Sequence, residues 1–560
     1  MASAIHAVPA MEKSSPFPPG TTRLIDVDGS VVTKHASGSN EQDIVLIPRP
    51  SDDPEDPLNW TKKRKLLATS CVFVYTVMIA IPSSAVYSVV TPIRVATGLS
   101  LSDINNGTGI MFLFYGWGCL IWQPLALQYG KRPAYLASLA ASIVILATAS
   151  MCTTKHTYLA NRILLGLFGA PVESLCEISI TDIWFAHQRP KYLAWYGWGL
   201  AMSGKLAPML SGFINFGMGW KWTLWWCSIF NGIALIYCFL FMEETNYDRP
   251  ASPSTDSAAV LSETKPEDQT TASKLDDQDQ DKTANQNSSS AHSVDTETGQ
   301  VLYQRKTFIQ KLGIKDKPRP NRMFDIAVSG LTGFTYPSVV YAGLMYGANS
   351  LVWSGVQNAT AGTVYTTMYG FSTAGVAAAY AGGLLGTMVG GYYCGKVGRI
   401  LTLRLARRNN GISESEHSLW LFAASMFIVP FSMLLYGLGV TYHIHWIGLV
   451  ISQFTLAINN ALSVAGSLGY AISSYPELSG GMVTTCVIIR NTMSFAINYG
   501  ITPWLNHMGY RDTYIIVAAI GFVWNASIFA VTKYGRRARE KSAERYWLDV
   551  AKAHAKGLSH

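Results

Sequence analysis

The sequence predicts an all-α integral membrane protein of twelve transmembrane helices in two six-helix bundles. Three observations carry that expectation. The 560 residues are 49% hydrophobic and only 14% charged, against about 25% charged in an average soluble domain. Apolar runs near the ~20 residues demanded by a bilayer's hydrocarbon core recur along the chain. A long polar insert then divides those runs six and six.

Residues 1–64 read as a cytoplasmic tail, mostly too polar and too rich in Pro, Ser and Gly to bury a core. It contains Asp53-Pro54-Glu55-Asp56-Pro57-Leu58-Asn59-Trp60 and then the basic run Lys62-Lys63-Arg64-Lys65. The prolines block helix before the first span, and the basic run should stay cytoplasmic. The N-terminus lacks a charged head followed by an apolar core, so a cleaved signal peptide is not expected.

The first bundle, 65–246, holds spans at roughly 66–90, 107–127, 134–151, 158–183, 193–215 and 222–242. The linker, 247–322, reads as disordered and cytoplasmic: residues 251–300 carry ten acidic and three basic residues and no Phe, Trp or Tyr. Within it, Tyr303–Ile314 reads either as a short amphipathic helix on the inner leaflet or as a solvated connector. The second bundle, 323–535, holds spans at roughly 334–356, 366–391, 419–439, 446–471, 482–504 and 513–533. Span 7 is the least sharply bounded, because a weakly apolar stretch, Met323–Gly333, precedes it. The tail, 536–560, is basic and suits an anionic cytoplasmic surface.

Charge sets the expected orientation. Loops after spans 2, 4 and 8 hold Lys131, Arg132, Arg189, Lys191, Lys396, Arg399, Arg404, Arg407 and Arg408, while the other side has Arg94, Lys155, Lys221 and Arg511. Both termini are therefore expected in the cytoplasm. The sequons at Asn106 and Asn358 would then fall outside, close to the membrane. The net charge of +8 sits at span ends and does not indicate nucleic-acid binding. Eight cysteines, mostly inside apolar runs at scattered spacing, argue against a disulfide framework and against a zinc site. There is no His-Glu-x-x-His, G-x-S-x-G or phosphate-binding loop, so hydrolase chemistry and ATP-driven pumping lack support, and no cofactor is expected.

The chemistry concentrates in span 4, which carries Arg162, Glu173 and Glu177. At about 100° per residue, Arg162 and Glu173 return to within about 20° of each other, Gly166 and Gly169 share their stripe, and Glu177 lies about 60° away. A charge at mid-membrane costs roughly 2.5–3.5 kcal/mol, so these side chains should face protein or a watery cavity. Two readings follow: a substrate or proton route, or a structural ion pair. Lys205 in span 5 and Arg490 in span 11 either neutralise the span-4 glutamates or form a cationic patch for an anionic substrate. Asn459 and Asn460 in span 10 bond between helices or touch substrate. Tyr341, Tyr346 and Asn349 in span 7 pack in the core or serve recognition.

Local motifs add a resemblance. Gln123-Pro124-Leu125-Ala126-Leu127-Gln128-Tyr129-Gly130-Lys131-Arg132 resembles the loop 2–3 signature of the major facilitator superfamily, with Gln123 in place of a Gly and Leu127 in place of an Asp. Arg162-x-x-x-Gly166 is similar to the superfamily's span-4 motif. Ser203-x-x-x-Ala207-Pro208-x-x-Ser211-Gly212 resembles its span-5 antiporter motif, with three glycines replaced by Ser, Ala and Ser. The Asp-Pro-x-x-Pro-x-Asn-Trp box, Tyr129–Pro133, Pro171–Glu177, Glu243-Glu244-Thr245, Arg407–Ile412 and Arg490-Asn491 resemble the fungal drug:proton antiporter-like branch, which includes polyamine permeases.

The resemblance implies pseudo-two-fold symmetry and a central cavity lined by spans 1, 4, 7 and 10. It also implies alternating access by rocking of the two halves. The expected function is proton-coupled export of a small organic molecule by a monomer in the plasma membrane, an internal membrane being the alternative. Its partners would be a small-molecule substrate, protons and the lipid bilayer. Uptake of a polyamine or other organic cation, and a non-transporting nutrient sensor, are the competing functions.

Overall fold

A computed structural model describes residues 53–185, 188–247, 321–409 and 412–555, with short pieces at 18–23, 51, 293–294, 301–302 and 312–313. Among the described residues, nine helical stretches are long and apolar enough to cross a membrane. The last contains spans 11 and 12, divided at Gly509, whose φ of 73° a residue with a side chain would strain to adopt. Spans 5 (Arg189–Met218) and 7 are helical but more polar. With these, the predicted order of twelve spans is met: Lys62–Ser84, Leu101–Tyr129, Lys131–Ala149, Lys155–Ile183, Arg189–Met218 and Trp220–Phe241 in the first half. Pro337–Thr367, Thr373–Gly398, Ser415–Thr441, Trp446–Ser474 and the two halves of the bent helix make the second.

Three expectations are corrected. Span 7 runs to Thr367, eleven residues past its hydropathy boundary, because Trp353–Tyr365 is polar yet nearly all buried against protein rather than lipid. Asn358 therefore lies mid-helix in the interior and not in an outside loop. The last helix continues as Ile528–Ala555, and Arg539 of the supposed surface tail is buried, paired with Glu414 and Glu416 at 2.7 and 2.5 Å. Tyr546, Val550 and Ala551 bury the same helix against the body of the protein. Nearly all of the linker, including Tyr303–Gln310, lies outside the described residues, as does most of the N-terminal tail.

The segment 18–23 and the last helix lie on one face, which we call the terminal face: Thr21–Arg23 pairs antiparallel with Ile412–Glu414, and Arg539 donates to the Pro19 carbonyl. The Asp-Pro box is a clamp on this face. Asn59 donates to the Ser51 and Asp53 carbonyls, and Arg64 stacks 4.1 Å over Trp60 while pairing with Glu55 and Glu243.

The two halves meet along two seams. In the first, spans 2 and 11 run antiparallel. Asn105 meets Thr502, Gly109 meets Asn498, Gly116 meets Asn491 and Gln123 meets Thr484, so both helices step by the same four, seven and seven residues. A seven-residue repeat is the signature of a left-handed helix pair. Glycine is required for the approach, since a Cβ on Gly116 would stand 2.8 Å from that of Asn491. In the second seam, span 5 presents Trp198, Lys205 and Gly212, again seven apart, to Gly391, Gly383 and Ala377 of span 8.

Candidate functional site

A cavity of about 80 Å³ lies between the seams, near the middle of most helices that line it and at the C-terminal end of span 1. That is room for a few waters. Its wall comes from spans 1, 4, 7 and 10, as the resemblance implied, and from spans 2, 5 and 11 as well. The halves touch beyond it on both sides. On the far face Thr91 Oγ1 lies 3.2 Å from Thr366 Oγ1; toward the terminal face Gly197 packs on Val464.

Span 4 is two helices, Lys155–Gly169 and Pro171–Ile183, joined where Pro171 cannot donate a backbone hydrogen bond. The first carries Arg162, Gly166 and Gly169, and this stripe faces span 2 rather than the cavity. A Cβ on Gly166 would stand 2.4 Å from the Met111 carbonyl, and Arg162 lies 5.0 Å over the Tyr158 ring with Nη1 4.0 Å from Met111 Sδ. The periodicity put Glu173 on this same stripe; the break before Pro171 separates them, so the face of Arg162, Gly166 and Gly169 seats a neighbouring helix while Glu173 turns to the cavity. The second helix carries the carboxylates. Glu173 lines the cavity and is 4% exposed.

The partner of Glu173 is Arg490 of span 11, also 4% exposed, whose Nη1 donates to Glu173 Oε2. The same nitrogen lies 3.2 Å from Tyr346 Oη, and the guanidinium sits 4.8 Å over the Tyr346 ring. Of the two sequence readings for Arg490, neutralisation of a span-4 glutamate is the one the geometry meets. This pair joins the two halves of the molecule across the cavity wall. Glu177, one turn on, is buried but does not line the cavity, and its Oε2 has no hydrogen-bond partner among the described residues.

Lys205 behaves differently. It lines the cavity at 4% exposure, with its alkyl stem laid along Gly383, and it forms no ion pair or hydrogen bond among the described residues. The reading in which it neutralises a span-4 glutamate is not met.

In span 7 the helix widens to a π turn over Ala348–Val352, which frees carbonyls from the regular ladder. Span 10 satisfies them: Asn459 Nδ2 donates to the Asn349 carbonyl at 3.1 Å and Asn460 Nδ2 to that of Ser350 at 3.1 Å. Asn459 and Asn349 thus hold spans 7 and 10 together without lining the cavity, whereas Asn460 and Tyr346 do line it. Residues that sequence reasoning missed in the wall are Ser83, Ser84, Tyr87, Ser354, Asn358 and Asn498. Their signal was weak: isolated polar side chains in apolar runs, and in Asn358 a sequon that pointed elsewhere.

The motif residues fall on the machinery around the cavity. Gly130, at φ 114°, makes the turn between spans 2 and 3; Lys131 pairs with Asp182 of span 4. The backbone N–H groups of Lys131 and Arg132 each donate at 3.0 Å to the Glu244 carboxylate, which caps the helix start, and Arg132 Nη2 donates to the Phe239 carbonyl. Gln123, standing where the signature has Gly, accepts a 2.6 Å hydrogen bond from Thr484 across the halves. In the span-5 motif, Ser203 bonds back to the Gly199 carbonyl, Ala207, Pro208 and Ser211 are buried, and Gly212 packs on Ala377 of the second half.

Comparison with known proteins agrees with this architecture. Residues 71–408 match the family model of the Major Facilitator Superfamily. An uncharacterized MFS-type transporter of Schizosaccharomyces pombe is 26% identical, with 94% of each chain covered. Protein HOL1 of Saccharomyces cerevisiae is 25% identical over 93% of this chain and 95% of its own, and efflux pump vrtL of Penicillium aethiopicum is 22% identical over 88% and 89%. The xylose transporter XylE of E. coli in a partially occluded inward-open form shares the fold, with a TM-score of 0.51 at 13% identity over 84% of this chain and 98% of that one. The chain belongs to the major facilitator superfamily and is a multi-pass membrane transporter of the fungal type.

Proposed function

We propose that this transporter couples proton movement to the export of a small organic molecule. The observation that carries the reading is the buried Glu173–Arg490 pair, which bridges the two halves in the wall of the central cavity. A proton on Glu173 removes one charge of the pair and leaves Arg490 unmatched. Unpairing a buried charge costs about 3–5 kcal/mol. A change of that size shifts an equilibrium between two arrangements of the halves by roughly two to four orders of magnitude. Protonation thus loosens the tie between spans 4 and 11, and proton release restores it. Glu177, buried one turn toward the terminal face, is the next acceptor on that path.

The direction of transport draws on the relative whose name is efflux pump, and on the span-5 motif packing the halves together at Gly212. Uptake of a polyamine-like cation is disfavoured, because Lys205 and Arg490 both stand in the wall. The terminal face, which carries Lys131, Arg132, the segment 18–23 and the last helix, is assigned to the cytoplasm by its basic loops, in the plasma membrane.

The test is export from loaded cells under an imposed proton gradient, using a panel of labelled small organic molecules. E173Q should reach the membrane at wild-type level and lose gradient-driven export at least tenfold. Wild-type export by E173Q would refute the assignment, and absence of flux in the wild type for every compound would favour a sensor.

A further inference from the structure

We infer that the cavity, enlarged when the two halves rock apart, takes an organic anion, whose negative group pairs with the Lys205 ammonium. The inference rests on the transport reading above and adds the charge class of what is carried. Three charged side chains stand in the cavity wall: Glu173, Arg490 and Lys205. Glu173 and Arg490 satisfy each other, so Lys205 carries the charge that the wall leaves over.

Lys205 is placed there by structure and not by accident of a flexible stem. The seven-residue repeat of span 5 sets it between Trp198 and Gly212 at the middle of the seam with span 8. Gly383 leaves the groove in which its methylenes lie, since a Cβ there would stand 3.0 Å from Lys205 Cδ. The stem is therefore held, and the ammonium has no hydrogen-bond or ion-pair partner among the described residues. A buried ammonium without a counter-ion is costly, and within a membrane protein such a group marks a route for charge. Hydrogen-bonding groups suited to the rest of a small acid stand in the same wall. Ser354 Oγ and Asn358 Oδ1 are buried without hydrogen-bond partners among the described residues, and Ser84 stands near Lys205's neighbour Gly204. Arg162, another buried cation of the first half, is stacked on Tyr158 and does not line the cavity.

The experiment is equilibrium binding to the full-length protein in nanodiscs without any gradient, so its result does not depend on proton coupling. The probes are benzoate, phenylacetate and hexanoate, each beside its neutral amide and the amine of equal length. The wild type should bind at least one acid tenfold or more tightly than its amide, with the amines weakest. K205M should remove that preference and K205R should keep most of it. E173Q, which tests the coupling reading, unpairs Arg490 in the same wall and is judged on gradient-driven export alone. The inference is overturned if no acid binds better than its amide, if an amine binds best, or if K205M prefers the acid as the wild type does. Loss of folding in K205M leaves the acid-to-amide ratio of the wild type and of K205R to decide.

Discussion

The two seams between the halves are built to one plan and differ at one kind of position. Each pairs the second helix of one half with the fifth of the other, and each repeats mostly at six to eight residues with glycine where the backbones come closest. Each also brings a cation near mid-membrane: Arg490 beside Asn491 in the first seam, Lys205 in the second. Arg490 finds Glu173 and the Tyr346 ring, whereas Lys205 lies along Gly383 with no ion-pair or hydrogen-bond partner among the described residues. The difference teaches that one seam holds the halves together through a charge pair that a proton can open. The other holds a charge in reserve for what enters the cavity.

Breaking the matched seam should have the largest effect. R490L strands Glu173 in the interior, and unfolding of the purified protein in micelles should show a loss of about 3–5 kcal/mol. The double variant E173L/R490L should recover most of that stability while remaining inactive in transport. If R490L alone unfolds like the wild type, the pair is not what ties spans 4 and 11.

The glycines come next. G116L drives a side chain into Asn491, and G212L into Ala377 and the Thr373 carbonyl. Overpacking of this kind costs about 1–3 kcal/mol, and here it also pushes the halves apart. Cysteine cross-linking of Asn105 to Thr502 should slow severalfold in G116L but not in G212L, since each variant disturbs its own seam.

Away from the seams the effect should be smaller. E244A removes the carboxylate that caps the start of span 3 and should cost about 1 kcal/mol, read in the same unfolding assay, with export close to wild type. Smallest of all, K205M has no partner to strand, so stability should hold or rise by about 1 kcal/mol. A loss as large as that of R490L would mean that Lys205 is paired after all, and the contrast between the seams would fail.

Much of the site was legible in span 4 because a carboxylate in an apolar run has few places to go. Span 7 was less so. Its second half, from 357 to 365, reads as polar loop by hydropathy because it is nearly all buried against other helices. The same blindness sent Asn358 outside and left Ser354 unnoticed. Asn459 and Asn460 were visible as oddities, yet their partners are carbonyls freed by a π turn that no local pattern announces.

The sequence by itself determined the twelve crossings, the division into halves, the basic loops of one face and the presence of charge in spans 4, 5 and 11. Those features depend on composition and period within a single helix, and the cost of exposing polar groups to hydrocarbon enforces them locally. Only the tertiary structure decided that Arg490 belongs to Glu173 across a separation of 317 residues, that Arg162 faces a neighbouring helix, and that Lys205 is left to the cavity. Which helices touch follows from the packing of two halves around a common axis. A helical period reports the face on which a charge lies, but nothing about what stands opposite.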